Sequence, residues 1–177
     1  MKLLFIADIH GIKTNLIEVE KFFYKNKCDY LVILGDIFNN GYYGYDYDKS
    51  FIKKYLLSFG NKLIVVKGNC DTDKDFKELN IEPSSLKEIA TEKQKIYITH
   101  GHLYNESNWD KENTILIQGH THFPKIVESS TTTYIYVGSI SKPRGNSSPS
   151  FLYYNEESFI IYDINGEKIA EKLLKKE

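Results

Sequence analysis

An α/β fold of two packed sheets with helices outside is the architecture this chain predicts, and three observations carry it. Apolar runs alternate with an amphipathic pattern over residues 2–66, the signature of parallel βαβ units. The rest of the chain is a succession of short β-like runs separated by Gly, Asn, Ser and Pro. Metal-competent polar residues recur directly after the apolar runs, at the strand ends where open α/β sheets gather their ligands.

Taken in order, residues 2–7 read as a short buried strand. From about residue 13 to residue 24, Leu16, Val19, Phe22 and Phe23 recur at helical spacing, with Asn15 near the start. Residues 30–34 form a second buried strand, 41–48 a Tyr- and Gly-rich loop, 51–59 a helix, and 63–66 a third apolar strand running to Gly68. Strand, helix, strand, helix, strand implies right-handed crossovers. In the second half, residues 95–99, 114–118, 125–128, 133–137, 150–154 and 158–163 are the β-like runs. The Lys/Glu-rich stretch 167–174 fits a last strand or a helix equally well, and no internal repeat appears.

Length and composition bound the function. The 177 residues suit a single domain over 1–177. With a formal net charge of −1 and lysines scattered rather than clustered, a nucleic-acid partner is not expected. Asp8 cuts the N-terminal apolar run below the length of a signal-peptide core, and no later stretch approaches a membrane span. The expectation is therefore no membrane association and a cytoplasmic protein. The two cysteines, Cys28 and Cys70, lack CxxC spacing, so neither a disulfide framework nor a zinc knuckle is indicated.

All five histidines fall in three short clusters, Asp8-Ile9-His10, His100-Gly101-His102 and Gly119-His120-Thr121-His122. Gly35-Asp36 and Gly68-Asn69-Cys70-Asp71 lie between the first two. Imidazole, carboxylate and amide carbonyl are donors for a first-row divalent ion, so this concentration points to one metal centre. On an extended backbone, the x-spaced pairs Asp8/His10 and His120/His122 would each face one side. The glycines at 35, 68, 101 and 119 allow sharp turns or close approach beside the ions.

In this order the motifs D-x-H, G-D, G-N-C-D, H-G-H and G-H-T-H resemble those of the calcineurin-like metallophosphoesterases, and most closely the small YfcE-type phosphodiesterases. The resemblance spans residues 8–122. It implies a four-layer α/β/β/α sandwich, two mixed sheets flanked by helices, with a two-metal site. Position by position it implies Asp8, His10 and His122 on the first ion, Asn69, His100 and His120 on the second, and Asp36 bridging both. Two such ions sharing a water or hydroxide would make a nucleophile near neutral pH and hold the phosphoryl oxygens. Mn2+ is the expected ion. Ni2+, Fe2+, Co2+ and Zn2+ stay open, because mixed His, Asp and Asn sites discriminate poorly. A homo-oligomer, dimer or tetramer, is also implied.

The expected reaction is hydrolysis of a small-molecule phosphodiester. Cys70 stands where many of these enzymes have His, a replacement the YfcE-type group shares. A diester carries less charge than a monoester dianion and needs less help from a general acid. Cys70 and His102 are the candidate catalytic residues, Cys70 as spectator or weak donor and His102 as acid or phosphate contact. A phosphomonoesterase on the same centre and a non-catalytic protein-binding scaffold of the same fold are the alternatives. The full ligand set speaks against the scaffold. Loops 37–50 and 103–113 would read the rest of the substrate. Tyr42, Tyr43, Tyr45 and Tyr47 form a candidate stacking platform, and Lys142, Arg144 and 145–148 a solvated loop.

Overall fold

Neighbouring residues of the first strand point to different cores. Leu4 and Ile6 join the one beneath the helices, and Leu3 and Phe5 the one between two sheets. A strand apolar on both faces must be covered on both, and that requirement organises the molecule. The computed structural model describes residues 1–38, 44–91 and 93–174.

The elements follow as β1 (Leu3–Ile6), α1 (Leu16–Lys25), β2 (Tyr30–Ile33), α2 (Lys49–Ser58), β3 (Leu63–Val65), α3 (Asp73–Leu79), β4 (Leu86–Ala90), β5 (Lys95–Thr99), β6 (Thr114–Gln118), β7 (Lys125–Glu128), β8 (Thr132–Tyr136), β9 (Ser150–Tyr154), β10 (Ser158–Asp163) and β11 (Lys168–Leu173). The first sheet runs β11-β10-β9-β1-β2-β3 and the second β4-β5-β6-β8-β7. Both are mixed. In the first, β1, β2 and β3 are parallel, with Phe5 opposite Val32 and Val32 opposite Ile64. In the second, β5, β6 and β8 are parallel, with Ile98 opposite Ile117 and Ile117 opposite Ile135.

Among the described residues all three helices cover the six-stranded sheet. Leu16, Val19 and Phe23 of α1, Ile52 and Leu56 of α2, and Phe76 and Leu79 of α3 pack on its face, each worth roughly 1.5–3 kcal/mol when fully buried. The sheets meet over Leu3, Phe5, Val32, Ile96, Ile98, Ile117, Ile135 and Leu152. The outer face of the five-stranded sheet is covered by the loop between β5 and β6, whose Trp109 packs edge-on against Tyr97 and donates to Thr114 Oγ1 at 3.0 Å. The fourth layer is thus a loop.

Several elements depart from their expected bounds for local reasons. α1 begins at Leu16 rather than near residue 13: residues 12 and 13 pair with Tyr47 and Asp46 instead, and Asn15 donates its side chain to the Ile140 carbonyl at 2.7 Å. α3 was not expected. It is short and starts on a capping box between Thr72 and Asp75. β4, also unexpected, is an edge strand paired antiparallel with β5. The ambiguous 167–174 stretch is a strand, β11, paired with β10. Residues 39–43 lie outside the described residues, so the Tyr42 and Tyr43 part of the stacking platform does too. Tyr45 is fully exposed, whereas Tyr47 pairs with Ile12 and lays its ring over Gly11. Cys28 and Cys70 form no disulfide. No described helix is long and apolar enough to cross a membrane.

Candidate metal centre

The carboxyl ends of β1, β2 and β3 in one sheet and of β5 and β6 in the other lead directly into Asp8, Asp36, Asn69, His100 and His120. Beyond β1 and β2 the backbones stay zipped: Asp8 N–H donates to Gly35 O, His10 N–H to Asp36 O and Gly11 N–H to Ile37 O. His100 joins the sheets, its Nδ1 lying 2.7 Å from Leu34 O. Gly119 N–H donates to His100 O at 3.0 Å, drawing in the 119–122 loop.

These loops close at a conformational cost. Asp8, His10, Asp36, His120 and His122 all have positive φ, between 50° and 66°. Such backbone is unfavourable for non-glycine residues, by about 1–3 kcal/mol each in strained cases, and clusters at functional sites. This corrects the extended-chain expectation for the Asp8/His10 and His120/His122 pairs. The side chains converge because the backbone turns at each of these positions. Gly68 is needed for close approach, since a Cβ there would sit 2.1 Å from Asp36 Oδ1 and 2.3 Å from Asp36 N. Gly35, at φ +85°, would place one 2.6 Å from Gly68 N.

Inside the cluster, His122 Nε2 is 3.3 Å from Asp8 Oδ1 and 3.2 Å from His10 Nε2. His10 Nε2 lies 3.9 Å from both Asp8 Oδ1 and Asp36 Oδ2. His100 Nε2 is 3.4 Å from Asp36 Oδ2, 4.0 Å from Asp8 Oδ1 and 3.0 Å from Asn69 Oδ1. Three sets of donors each fall within 4.8 Å of one another: Asp8, His10 and His122; Asp8, Asp36 and His100; and His10, Asp36 and Cys70. His120 is in none of these triads. Its backbone N–H donates to Asp8 Oδ2 at 3.0 Å and its ring lies 5.0 Å from that of His100. His102 flanks both rings, at 5.4 Å from His100 and 6.2 Å from His120, with its buried Nδ1 unpartnered.

The arrangement is short of donors. His122 Nδ1 lies 2.6 Å from the Lys142 carbonyl, which requires a proton there and turns Nε2 inward. His100 is held the same way by Leu34, yet its Nε2 faces Asn69 Oδ1, another oxygen that cannot donate. The Asn69 amide is oriented by its Nδ2–H bond to Cys70 Sγ at 3.3 Å. Asp8 Oδ1 is buried and accepts no hydrogen bond. Buried lone pairs facing one another are costly without a cation between them. The residues present therefore fit divalent metal, and outward hydrogen bonds from ligating histidines to backbone carbonyls are the usual companions of such sites.

The two carboxylates draw positive charge to this point, whether from a metal ion or from protons on the histidines. Burial disfavours ionisation of Asp36, but hydrogen bonding and attraction from His100 and the Cys70 N–H hold its carboxyl well below the ordinary range. Burial likewise opposes protonation of His100 and His122, and the Asp36 and Asp8 carboxylates still raise both. At His10, His102 and His120 burial wins and lowers the value. Burial and the surrounding carboxylates, Asp36 foremost, push the Cys70 thiol up to about 12.

One important residue went unassigned in the sequence. Asp71, buried, accepts from Asp36 N–H and Gly68 N–H through Oδ2 and from Ile37 N–H through Oδ1, all at 2.8 Å. Its position in Gly68-Asn69-Cys70-Asp71 marks it as metal-competent, but it clamps the loop that carries Asp36.

Comparison with known proteins bears on family and fold. A family model described as calcineurin-like phosphoesterase superfamily domain matches residues 1–158. The Escherichia coli K12 protein named phosphodiesterase YfcE is 30% identical over 179 aligned positions, covering 98% of this chain and 97% of that one. The solved structure of the E. coli phosphoesterase superposes with a TM-score of 0.92 at 29% identity, covering 99% of this chain and 100% of that chain. Vacuolar protein sorting 29 from Cryptosporidium parvum, at TM-score 0.68 and 17% identity over 99% of this chain and 98% of that one, shares the fold.

Proposed function

Because the chain belongs to the calcineurin-like phosphoesterase superfamily, within its YfcE-like group, we propose that residues 1–177 work as one domain hydrolysing a small-molecule phosphodiester on a paired divalent centre. The observation that carries this is the donor-poor cluster of Asp8, His10, Asp36, Asn69, His100 and His122 at the strand ends of both sheets. Asp8, His10 and His122 would hold one ion, Asn69, His100 and His120 the other, and Asp36 both. The place of His120 rests on the family motif. Mn2+ is the proposed ion on the family resemblance, since the mixed oxygen and imidazole set accepts Ni2+, Fe2+, Co2+ or Zn2+ as well. Bound there, the pair would polarise a phosphoryl group and make a water acidic enough to attack near neutral pH.

The protein's own part is preorganisation. Each carboxylate has one oxygen pinned by a backbone N–H, Asp8 Oδ2 by His120 and Asp36 Oδ1 by Cys70, and the other turned inward. Neither has to rotate as charge develops, which is the source of electrostatic advantage in such sites. Cys70 supports the diester reading. It is within 4.8 Å of His10 and Asp36, and a neutral thiol offers no positive charge to a monoester dianion where an imidazolium would. His102 lies beside His100 and His120 and is proposed as the phosphate contact or acid.

Assay of purified protein with Mn2+ tests the proposal. The expected result is two equivalents of metal bound, faster turnover of a bis-aryl phosphate than of an aryl phosphate, and loss of both metal pairing and turnover in Asp36→Asn. Uptake of no more than one equivalent, or undiminished turnover in Asp36→Asn, would overturn it.

A further inference from the structure

The structure assigns Ser139 as a positioning residue that braces one half of the centre, the Asp8/His10/His122 half, and not the other. Ser139 follows β8 and is wholly buried. Its hydroxyl uses its full capacity of one donor and two acceptors. It donates to the Asp8 carbonyl at 2.9 Å and accepts from Lys142 N–H at 2.8 Å and Ser141 N–H at 3.2 Å. The two accepted bonds alone would be an ordinary serine turn. The donated bond is different, because it reaches 131 residues back to a proposed ligand. The turn it closes also presents the Lys142 carbonyl to His122 Nδ1 at 2.6 Å, so the same hydroxyl sets the position of a second one.

The surroundings keep this brace rigid. Ile140 N–H donates to Ala7 O, Ser150 N–H to Ser139 O, and Arg144 N–H to His122 O. The other half has a separate brace, the Asp71 carboxylate on Gly68 N–H and Asp36 N–H, with His100 oriented by Leu34 O and Asn69 by its neighbour Cys70; among the described residues Ser139 makes no hydrogen bond to it. One side-chain hydroxyl therefore couples Asp8 to His122 across the joint between the sheets. Its removal would leave the Asp8 carbonyl unpaired and free the Lys142 carbonyl to turn away from His122. Groups that orient metal ligands in this way typically carry a 10–100-fold effect on affinity.

This assignment rests on the paired-metal reading, and calorimetric titration of the metal-free protein with Co2+, followed also by its visible spectrum, separates the two. Wild type should show two affinity classes, one lost in His10→Ala and the other in Asn69→Ala. Ser139→Ala should weaken only the His10-dependent class, by about 10–100-fold, and alter the spectrum of that class alone. Ser139→Thr, which keeps the hydroxyl, should restore it. Should Ser139→Ala fail to fold, Ser139→Cys, similar in size but a weak donor, should show the same selective loss. Unchanged classes, or an equal fall in both, would overturn the assignment. A wild-type protein that never binds a second equivalent would overturn the paired-metal reading instead.

Discussion

The Asp71 carboxylate holds the backbone of Asp36: Asp71 Oδ2 accepts the Asp36 N–H at 2.8 Å while Oδ1 takes the next N–H, that of Ile37, at the same distance. Since Oδ2 also takes Gly68 N–H, one carboxylate binds the loop after β2 to the loop after β3. Asp71→Asn turns an amide NH2 toward N–H groups and strands at least one buried donor. The expected cost is about 1–3 kcal/mol of stability, with weakened metal binding, read from urea unfolding and calorimetry on the same preparation.

Gly68→Ala tests close approach. The added Cβ would fall on the Asp36 carboxylate and backbone, so Asp36 must move. Metal stoichiometry should drop and diester turnover fall by at least 100-fold by analogy with displaced catalytic groups, while the circular dichroism spectrum stays that of a folded α/β protein. Retained turnover would show that Asp36 tolerates displacement.

Cys70 should separate the two ester classes. Cys70→Ala is expected to keep diester turnover within roughly tenfold, since general-acid help is small for a good leaving group. Cys70→His should raise the monoester rate relative to the diester rate. Comparing kcat/KM on aryl and bis-aryl phosphates for the three proteins checks both, and an inactive Cys70→Ala would make the thiol a participant.

Away from the centre, Asp75 predicts a pH-dependent stability term. Burial opposes its ionisation, but hydrogen bonds from Lys49 Nζ at 2.7 Å and from Thr72 hold its carboxyl below the ordinary value. A carboxyl depressed in the folded state contributes stability that is complete above its unfolded value, about pH 4, and is lost as pH falls through the folded one. Burial likewise works against the charge on Lys49, and Asp75 raises it above its ordinary value. That contribution is complete below about pH 10 and is lost at higher pH. Asp75→Asn should cost about 1 kcal/mol near neutrality, mostly through the weakened capping box. Urea unfolding across pH should show the gap to wild type closing below pH ~4.

The legible part of the fold was the part where one physical signal dominates. Apolar runs ending in Asp8, Asp36, Asn69 and His100 marked β1, β2, β3 and β5 to within a residue or two; β1 and β2 are continuously apolar because both of their faces are buried, and β3 and β5 are short β-branched and apolar runs beside polar turns. α3 and β4 gave no such signal. Asp73–Leu79 buries only Phe76 and Leu79 among its apolar side chains, and Leu86–Ala90 is a mostly half-exposed edge strand, so tertiary packing rather than local pattern makes them.

By itself the sequence determined the order of motifs, the residue types that meet at the strand ends and the family they point to. Those depend only on identity and spacing along the chain. Tertiary structure alone decided the left-handed backbone at Asp8, His10, Asp36, His120 and His122, the clamp of Asp71 and the brace of Ser139. Each of these is a bond or a turn whose partner lies up to 131 residues away. Such a partner becomes a neighbour only when the two sheets have packed, and no local periodicity encodes it.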